Sequence, residues 1–297
     1  MKRRNIMLAT ALCAALALTG CGQKDQPEAE THPWPATVTY SNLNDQESRQ
    51  LLAELMTDGG IDGQRQQVLF DHVDQINSFL KPEELTDGFE EVKITEPKYD
   101  PYELQERWTE EEPDFMGYNC RITAFSLYGS QVDVPADGEI RSGMVDFDLL
   151  SLNEDPAGIP DEQDRERFQV LYSAIPTENT KDHTVHLKTL QDDWQERGIH
   201  FEDGGTTSLI SVVLHDQVDG DQLFVGHTGV LFEKSENELY FLEKIAFQEP
   251  YQLDKFSSRA ELSDYLMEKY DVSFDQPTAS PMILENDQLI EGYRSHT

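Results

Sequence analysis

Between Thr206 and Gln248, apolar runs are broken by two short polar stretches. Residues 208–214 form a β-branched and aliphatic run, residues 216–221 a polar turn containing Asp219-Gly220, and residues 223–233 resume the apolar pattern. Residues 234–238 are charged, and residues 239–247 are apolar again. Runs of this length separated by turn residues predict three consecutive strands of an antiparallel meander. Strands so continuously apolar belong in the buried centre of a sheet with another layer packed on it.

The flanking segments carry helical spacing. Residues 45–57 place Leu51, Leu52, Leu55 and Met56 on one face and stop at Asp58-Gly59-Gly60. Residues 62–80 repeat Val68, Leu69, Val73, Ile76, Phe79 and Leu80 and stop before Pro82, so the two helices are expected to form a hairpin over the sheet. An acidic stretch over 87–114, with three prolines, allows one short helix over 102–108. Asn119 suits an N-cap and would put Cys120 in the first turn of the next helix. Residues 129–161 are acidic and turn-rich and are expected to be a long surface excursion. Helices are expected over 162–175 and 184–197, the second closed by Gly198. Ser258-x-x-Glu261 is a capping box opening a helix that runs to Tyr270, and residues 282–284 suit an edge strand. The expected fold is therefore α+β, helices packed on a central antiparallel sheet, as a single domain over residues 41–297.

The chain starts differently. Met1-Lys2-Arg3-Arg4-Asn5 precedes an apolar run over 6–18 that is too short to span a bilayer, and Leu18-Thr19-Gly20-Cys21 follows. A basic start, a short apolar segment and small residues at the break predict an export signal over 1–20. Leu-Thr-Gly-Cys also resembles the bacterial lipobox. The resemblance implies cleavage before Cys21 and a lipid on its thiol, giving an extracytoplasmic protein anchored to the cell membrane. Residues 21–40 would then hold the lipidated cysteine and a polar, proline-bearing tether.

Loss of residues 1–20 removes Lys2, Arg3 and Arg4 and no acid, leaving 20 basic and 58 acidic residues, a net charge of −38. Such a surface repels nucleic acid and anionic lipid headgroups, so the membrane contact would run through the lipid on Cys21. Asp216-x-x-Asp219-Gly220-Asp221 has the look of a cation loop but lacks the spacing and terminal Glu of a helix-loop-helix calcium site, and a hairpin turn accounts for it. His183 and His186 stand at i, i+3 with no third ligand in view. No metal or cofactor is expected.

Of the three cysteines, Cys13 leaves with the signal and Cys21 takes the lipid, so Cys120 is the one remaining thiol and has no disulfide partner. Two readings of it are open. Cys120, Ala124 and Leu127 share one helical stripe, which suits a small buried residue. A thiol in the first turn of a helix also faces the positive end of the helix dipole and unpaired amides, which favour thiolate and could hold an oxyanion. His227, in Gly226-His227-Thr228-Gly229 on an otherwise apolar strand, is then the candidate general base and acid, and Glu243 on the next strand the residue that orients its ring. A hairpin with an odd number of turn residues centred on Ser235 would set His227 and Glu243 directly opposite each other, whereas an even turn would put them on opposite faces. Gln248 is the substitute for the third role, and Tyr118, Asn119 and Gln248 are the expected substrate contacts.

A cysteine opening a helix, a downstream strand of the form His-x-Gly-[aliphatic]-x-[aromatic], and a polar residue on the next strand resemble the NlpC-type cell-wall peptidases of the papain-like group. The matching residues are Asn119-Cys120-Arg121 and His227-Thr228-Gly229-Val230-Leu231-Phe232, with Glu243 at the third position. The interval between Cys120 and His227 is longer than is usual there, and the Asp-Cys-Ser start is absent. This resemblance implies a papain-like arrangement and thiol-dependent hydrolysis of an amide, with a cell-wall peptide as the partner. Across its length the chain also resembles a family of uncharacterised bacterial lipoproteins, in residues 119–125, 208–216 and 243–251. That second resemblance supports export and implies no activity. The alternative function is a non-enzymatic lipoprotein that binds a peptide, a wall component or another envelope protein, for which the acidic excursion would be the contact surface.

Overall fold

A computed structural model describes residues 33–141, 144–202, 205–218, 220–272 and 275–296. The expected signal segment, Cys21, most of the tether and Asp219 lie outside these residues. In chain order the elements are β1 (Thr37–Ser41), α1 (Gln46–Asp58), α2 (Gly63–Asn77), β2 (Glu90–Lys93), α3 (Pro101–Glu111), α4 (Cys120–Tyr128), β3 (Val132–Asp133), α5 (Asp146–Glu154), α6 (Glu162–Leu171) and β4 (Ile175–Pro176). They continue with α7 (His183–Glu196), β5 (His200–Phe201), β6 (Thr207–Asp216), β7 (Gln222–Ser235), β8 (Glu238–Lys244), β9 (Tyr251–Phe256), α8 (Arg259–Tyr270), β10 (Met282–Glu285) and β11 (Gln288–Leu289). The class is α+β.

The large sheet runs β11-β10-β6-β7-β8-β9-β1-β2, with β4 paired to the start of β7. Its pairings are antiparallel. The meander β6–β8 forms its centre and is apolar on both sides because both sides are covered. Leu209, Val213, Val230, Phe232 and Leu242 enter one core with α1, α2, α4, α6 and α7. Ile210, Val212, Leu231, Leu239 and Phe241 enter a second with Val38 and Tyr40 of β1 and Leu262, Tyr265, Leu266 and Met267 of α8. Alternate residues of one strand thus serve two separate layers.

The helix ends follow local chemistry. Asp45, Asp62, Asp100, Asn119, Asp161, Asp182 and Ser258 each accept a first-turn amide with the side chain, satisfying donors the helix cannot.

Several elements differ from the sequence expectation. Strand β1 begins at Thr37, inside the stretch expected to be tether, and pairs with both β9 and β2. The segment over 129–161 is not a surface excursion. Val132, Val134, Val145, Leu152 and Ile159 are buried in the main core, and α5 packs beside α4 with Asp148 fully buried. Six apolar or buried positions scattered among acids have no clean period, so the pattern concealed a packed element. The third meander strand stops at Lys244 instead of 247. The buried Lys244 Nζ donates to the carbonyls of Ala246 (2.7 Å), Phe247 (3.0 Å) and Glu249, curling the chain around its own ammonium. Residues 282–284 do pair beside β6, but β11 lies outside them, so they are not the edge.

Candidate active site

Helix α4 is aimed by a polar cluster at its start. The Asn119 side chain accepts the Ile122 amide at 3.0 Å and donates to Asp148 Oδ1 at 2.8 Å. Arg121 reaches the same carboxylate with Nε at 3.0 Å and Nη2 at 2.7 Å, and donates to the carbonyls of Val225 and Met144. Asp148 on α5 is the hub of this cluster, and Arg121 ties the Cys120 turn to strand β7 through the Val225 carbonyl. The amides of Cys120 and Arg121 stay outside the helix's own ladder and the Asn119 cap.

Cys120 is buried at this turn. The groups that act on its thiol are the His227 ring, the Arg121 guanidinium and the backbone of Thr228. Burial alone would raise the thiol, but the His227 hydrogen bond and charge, the Arg121 guanidinium and the Thr228 amide bring it below its ordinary value. His227 lies on β7 just past a bulge. Val212 pairs with His227 and Val213 with Val225, which leaves Gly226 unpaired and swings His227 to the face opposite Val225.

His227 Nε2 donates to Glu243 Oε2 at 2.6 Å, which leaves Nδ1 for the thiol. Burial would lower the imidazolium, but the bonds to Cys120 and Glu243 raise it to about 9. Glu243 is fully buried; burial would raise it, but the Lys269 ammonium and His227 hold it well below the usual carboxylate range. Its second oxygen accepts from Lys269 Nζ at 2.7 Å and from the Tyr265 hydroxyl. Tyr270 stacks on the His227 ring, centroids 4.9 Å apart and planes 22° apart. Thiol, imidazole, carboxylate and ammonium thus follow one another from Cys120 to Lys269, with His227, Glu243 and Lys269 joined by hydrogen bonds.

The structure brings Cys120, His227 and Glu243 together, though not through the expected hairpin. The β7–β8 turn is even, with Ser235 paired to Glu238. A bulge at Lys234 adds one residue before Glu233 meets Leu239, and this returns His227 and Glu243 to one face. Glu243 pairs with Gly229, so the two side chains meet diagonally rather than head-on.

The expected substrate contacts are placed differently. The Tyr118 hydroxyl accepts the Gly158 amide at 2.6 Å and donates to the Asp155 carbonyl, and its ring packs on His72 at 4.1 Å. Both ends of the Asn119 amide serve the cap and Asp148. Gln248 is half-buried on the loop after β8 and takes no part in the His227–Glu243 pair. Arg121, Asp148, Tyr265, Lys269 and Tyr270 escaped the sequence reading. The helix over 259–270 was legible, but nothing in its spacing says that Tyr265 and Lys269 reach a carboxylate from β8. His186 bonds Thr177 Oγ1 and the Thr180 carbonyl, each at 2.8 Å, and lies tilted against the His215 ring at 4.6 Å, so it serves the fold. Among the described residues no group of three or more His, Cys, Asp or Glu is arranged to hold a metal ion.

Fold and site together define an α+β domain with a doubly covered antiparallel sheet and a buried Cys–His–Glu line at a helix start. The chain belongs to the family described as a domain of unknown function (DUF4300), which it matches over residues 39–290. No curated protein and no solved structure matches it.

Proposed function

We propose that this protein is a thiol-dependent hydrolase or transferase of amide bonds, with Cys120 as nucleophile, His227 as general base and acid, and Glu243 as the residue that orients the ring. One observation carries the reading: a helix-start thiol beside a histidine whose ring nitrogen is held by a buried carboxylate. In the reaction the Cys120 sulfur attacks the amide carbon, forming a C–S bond and an oxyanion that the first-turn amides of α4 can bind. The His227 imidazolium gives its proton to the amide nitrogen, the C–N bond breaks, and the amine leaves a thioester on Cys120. His227 then takes a proton from water, whose oxygen attacks the thioester carbon. The C–S bond breaks, releasing the carboxylic acid and restoring the thiolate and imidazolium. The resemblance to NlpC-type and papain-like enzymes supports this assignment, and the lipobox-like Leu18–Cys21 supports a lipid-anchored site facing outward, with cell-wall peptides as the substrate class.

One observation favours a rival. Cys120 is only 6 % exposed, His227 1 % and Glu243 0 %, so the line is closed to substrate in this conformation. A non-enzymatic lipoprotein that binds a peptide, a wall component or an envelope protein would need no opening. The test is the pH dependence of alkylation at the peptide carrying Cys120 in the folded full chain, with and without His227→Ala. The hydrolase reading expects an apparent pKa well below the ordinary thiol value of about 8.5, lost on removing His227. A thiol silent until unfolding would sink it and leave the binder.

A further inference from the structure

Asp254 on β9 is fully buried, and the proposed mechanism makes no use of it. Neither carboxyl oxygen of Asp254 has a hydrogen-bond donor among the described residues. The β8–β9 register pairs Phe241 with Asp254 and Glu243 with Gln252, which sets Asp254 and Glu243 on one face as diagonal neighbours, and Glu243 as a carboxylate is itself an acceptor. Two bare carboxylates side by side and fully buried are unfavourable, because each repels the other and neither is exposed to solvent. The facing ionisable groups are Glu243 from β8, Tyr40 from β1, and Tyr265, Lys269 and Tyr270 from α8. Tyr265 and Lys269 are committed to Glu243 and to each other.

We propose that Asp254 is a positioning residue that carries a proton and donates it in a hydrogen bond to Glu243, holding Glu243 as a full anion against His227. One proton resolves both anomalies, since it gives the orphaned oxygens a bond and removes the carboxylate repulsion. With Asp254 neutral, the charges of Cys120, His227, Glu243 and Lys269 cancel. With Asp254 ionised the buried cluster would hold one unbalanced negative charge, at a heavy desolvation cost. Burial, then the Glu243 charge, push this carboxyl well above its ordinary range, in keeping with the geometry. The donated bond stabilises the ionised form of Glu243, and through it the imidazolium beside the thiol. This role for the site rests on the thiol reading above, whereas the proton itself does not.

Asparagine separates the possibilities, because its amide can donate to Glu243 but cannot ionise. In the full chain at neutral pH, the infrared difference between the protein and Asp254→Asn is expected to show loss of one protonated-carboxyl C=O band. The pH profile of Cys120 alkylation is expected to be unchanged in Asp254→Asn and shifted upward in Asp254→Leu, which cannot donate. Absence of the band, or an Asp254→Asn profile shifted upward, overturns the proposal. If Asp254→Leu does not fold, the band and the asparagine profile still decide. A band present with Cys120 inert in the unmodified chain supports the proton and overturns both the positioning role and the thiol reading.

Discussion

At the level of single residues, the line from Cys120 to Lys269 converts burial from a penalty into a source of reactivity. Burial by itself would push the thiol up and the histidine down, and it is their proximity, backed by Glu243, that reverses both shifts. Glu243→Gln keeps the shape and removes the charge. It is expected to lower His227 from about 9 and move the alkylation profile of Cys120 upward, which a pH series of alkylation rates reads directly. Stability should carry the same signature. The folded His227 is raised above its ordinary 6.5, so its contribution is complete below about 6.5 and disappears as pH climbs through about 9. Melting temperatures of the protein and of His227→Asn should therefore converge across that window. Asp254 is also raised in the folded state, from an ordinary 3.8, so its contribution is full below that value and falls as pH rises. Asp254→Asn is expected to flatten that fall, so that its melting temperature gains on the unmodified protein between acid and neutral pH.

Among the elements, the start of α4 and the loop after β8 matter most to the site. Asn119→Ala removes an N-cap, worth about 1 kcal/mol, and also one of the donors to the buried Asp148. The expected result is a lower melting temperature together with slower alkylation of Cys120, because the turn that aims the thiol loses its anchor. Gly117 sits just upstream at φ +93°, and a Cβ there would run into the Phe247 carbonyl. Gly117→Ala should cost about 1 kcal/mol or more, checked by chemical denaturation, since both the positive φ and the close approach oppose it. Periodicity made most helices legible and the three meander strands with them. Of the strands of four to six residues it found β10 and missed β1, β2 and β9, because so few positions barely establish a period of two. The Lys234 bulge was equally invisible, although it decides on which face His227 finds Glu243.

The chain is strongly acidic, and its described residues bury three apolar clusters beside the charged line from Cys120 to Lys269. With 58 acidic against 23 basic residues, self-repulsion opposes the compact state. Melting temperature is expected to rise as sodium chloride increases from about 0.01 M to about 1 M, because the screening length falls from about 30 Å to about 3 Å. Melting scans across that series check this, and a fall in melting temperature would mean that the ion pairs outweigh the repulsion. The amino-acid order alone was enough to predict the α+β class and the caps at Asn119 and Ser258, and it singled out Cys120, His227 and Glu243 as candidates while leaving Cys120 open between a core residue and a nucleophile. Caps, periods and turn residues act over a few positions, and their chemistry is local. Tertiary structure alone decided that the acidic stretch over 129–161 folds inward to place Asp148 beneath Arg121. It also decided that α8 delivers Tyr265 and Lys269 to Glu243, and that Asp254 and Glu243 lie side by side, both fully buried. These outcomes depend on which faces meet across the sheet and on how much water is excluded there, and neither quantity is written in the spacing of residues along the chain.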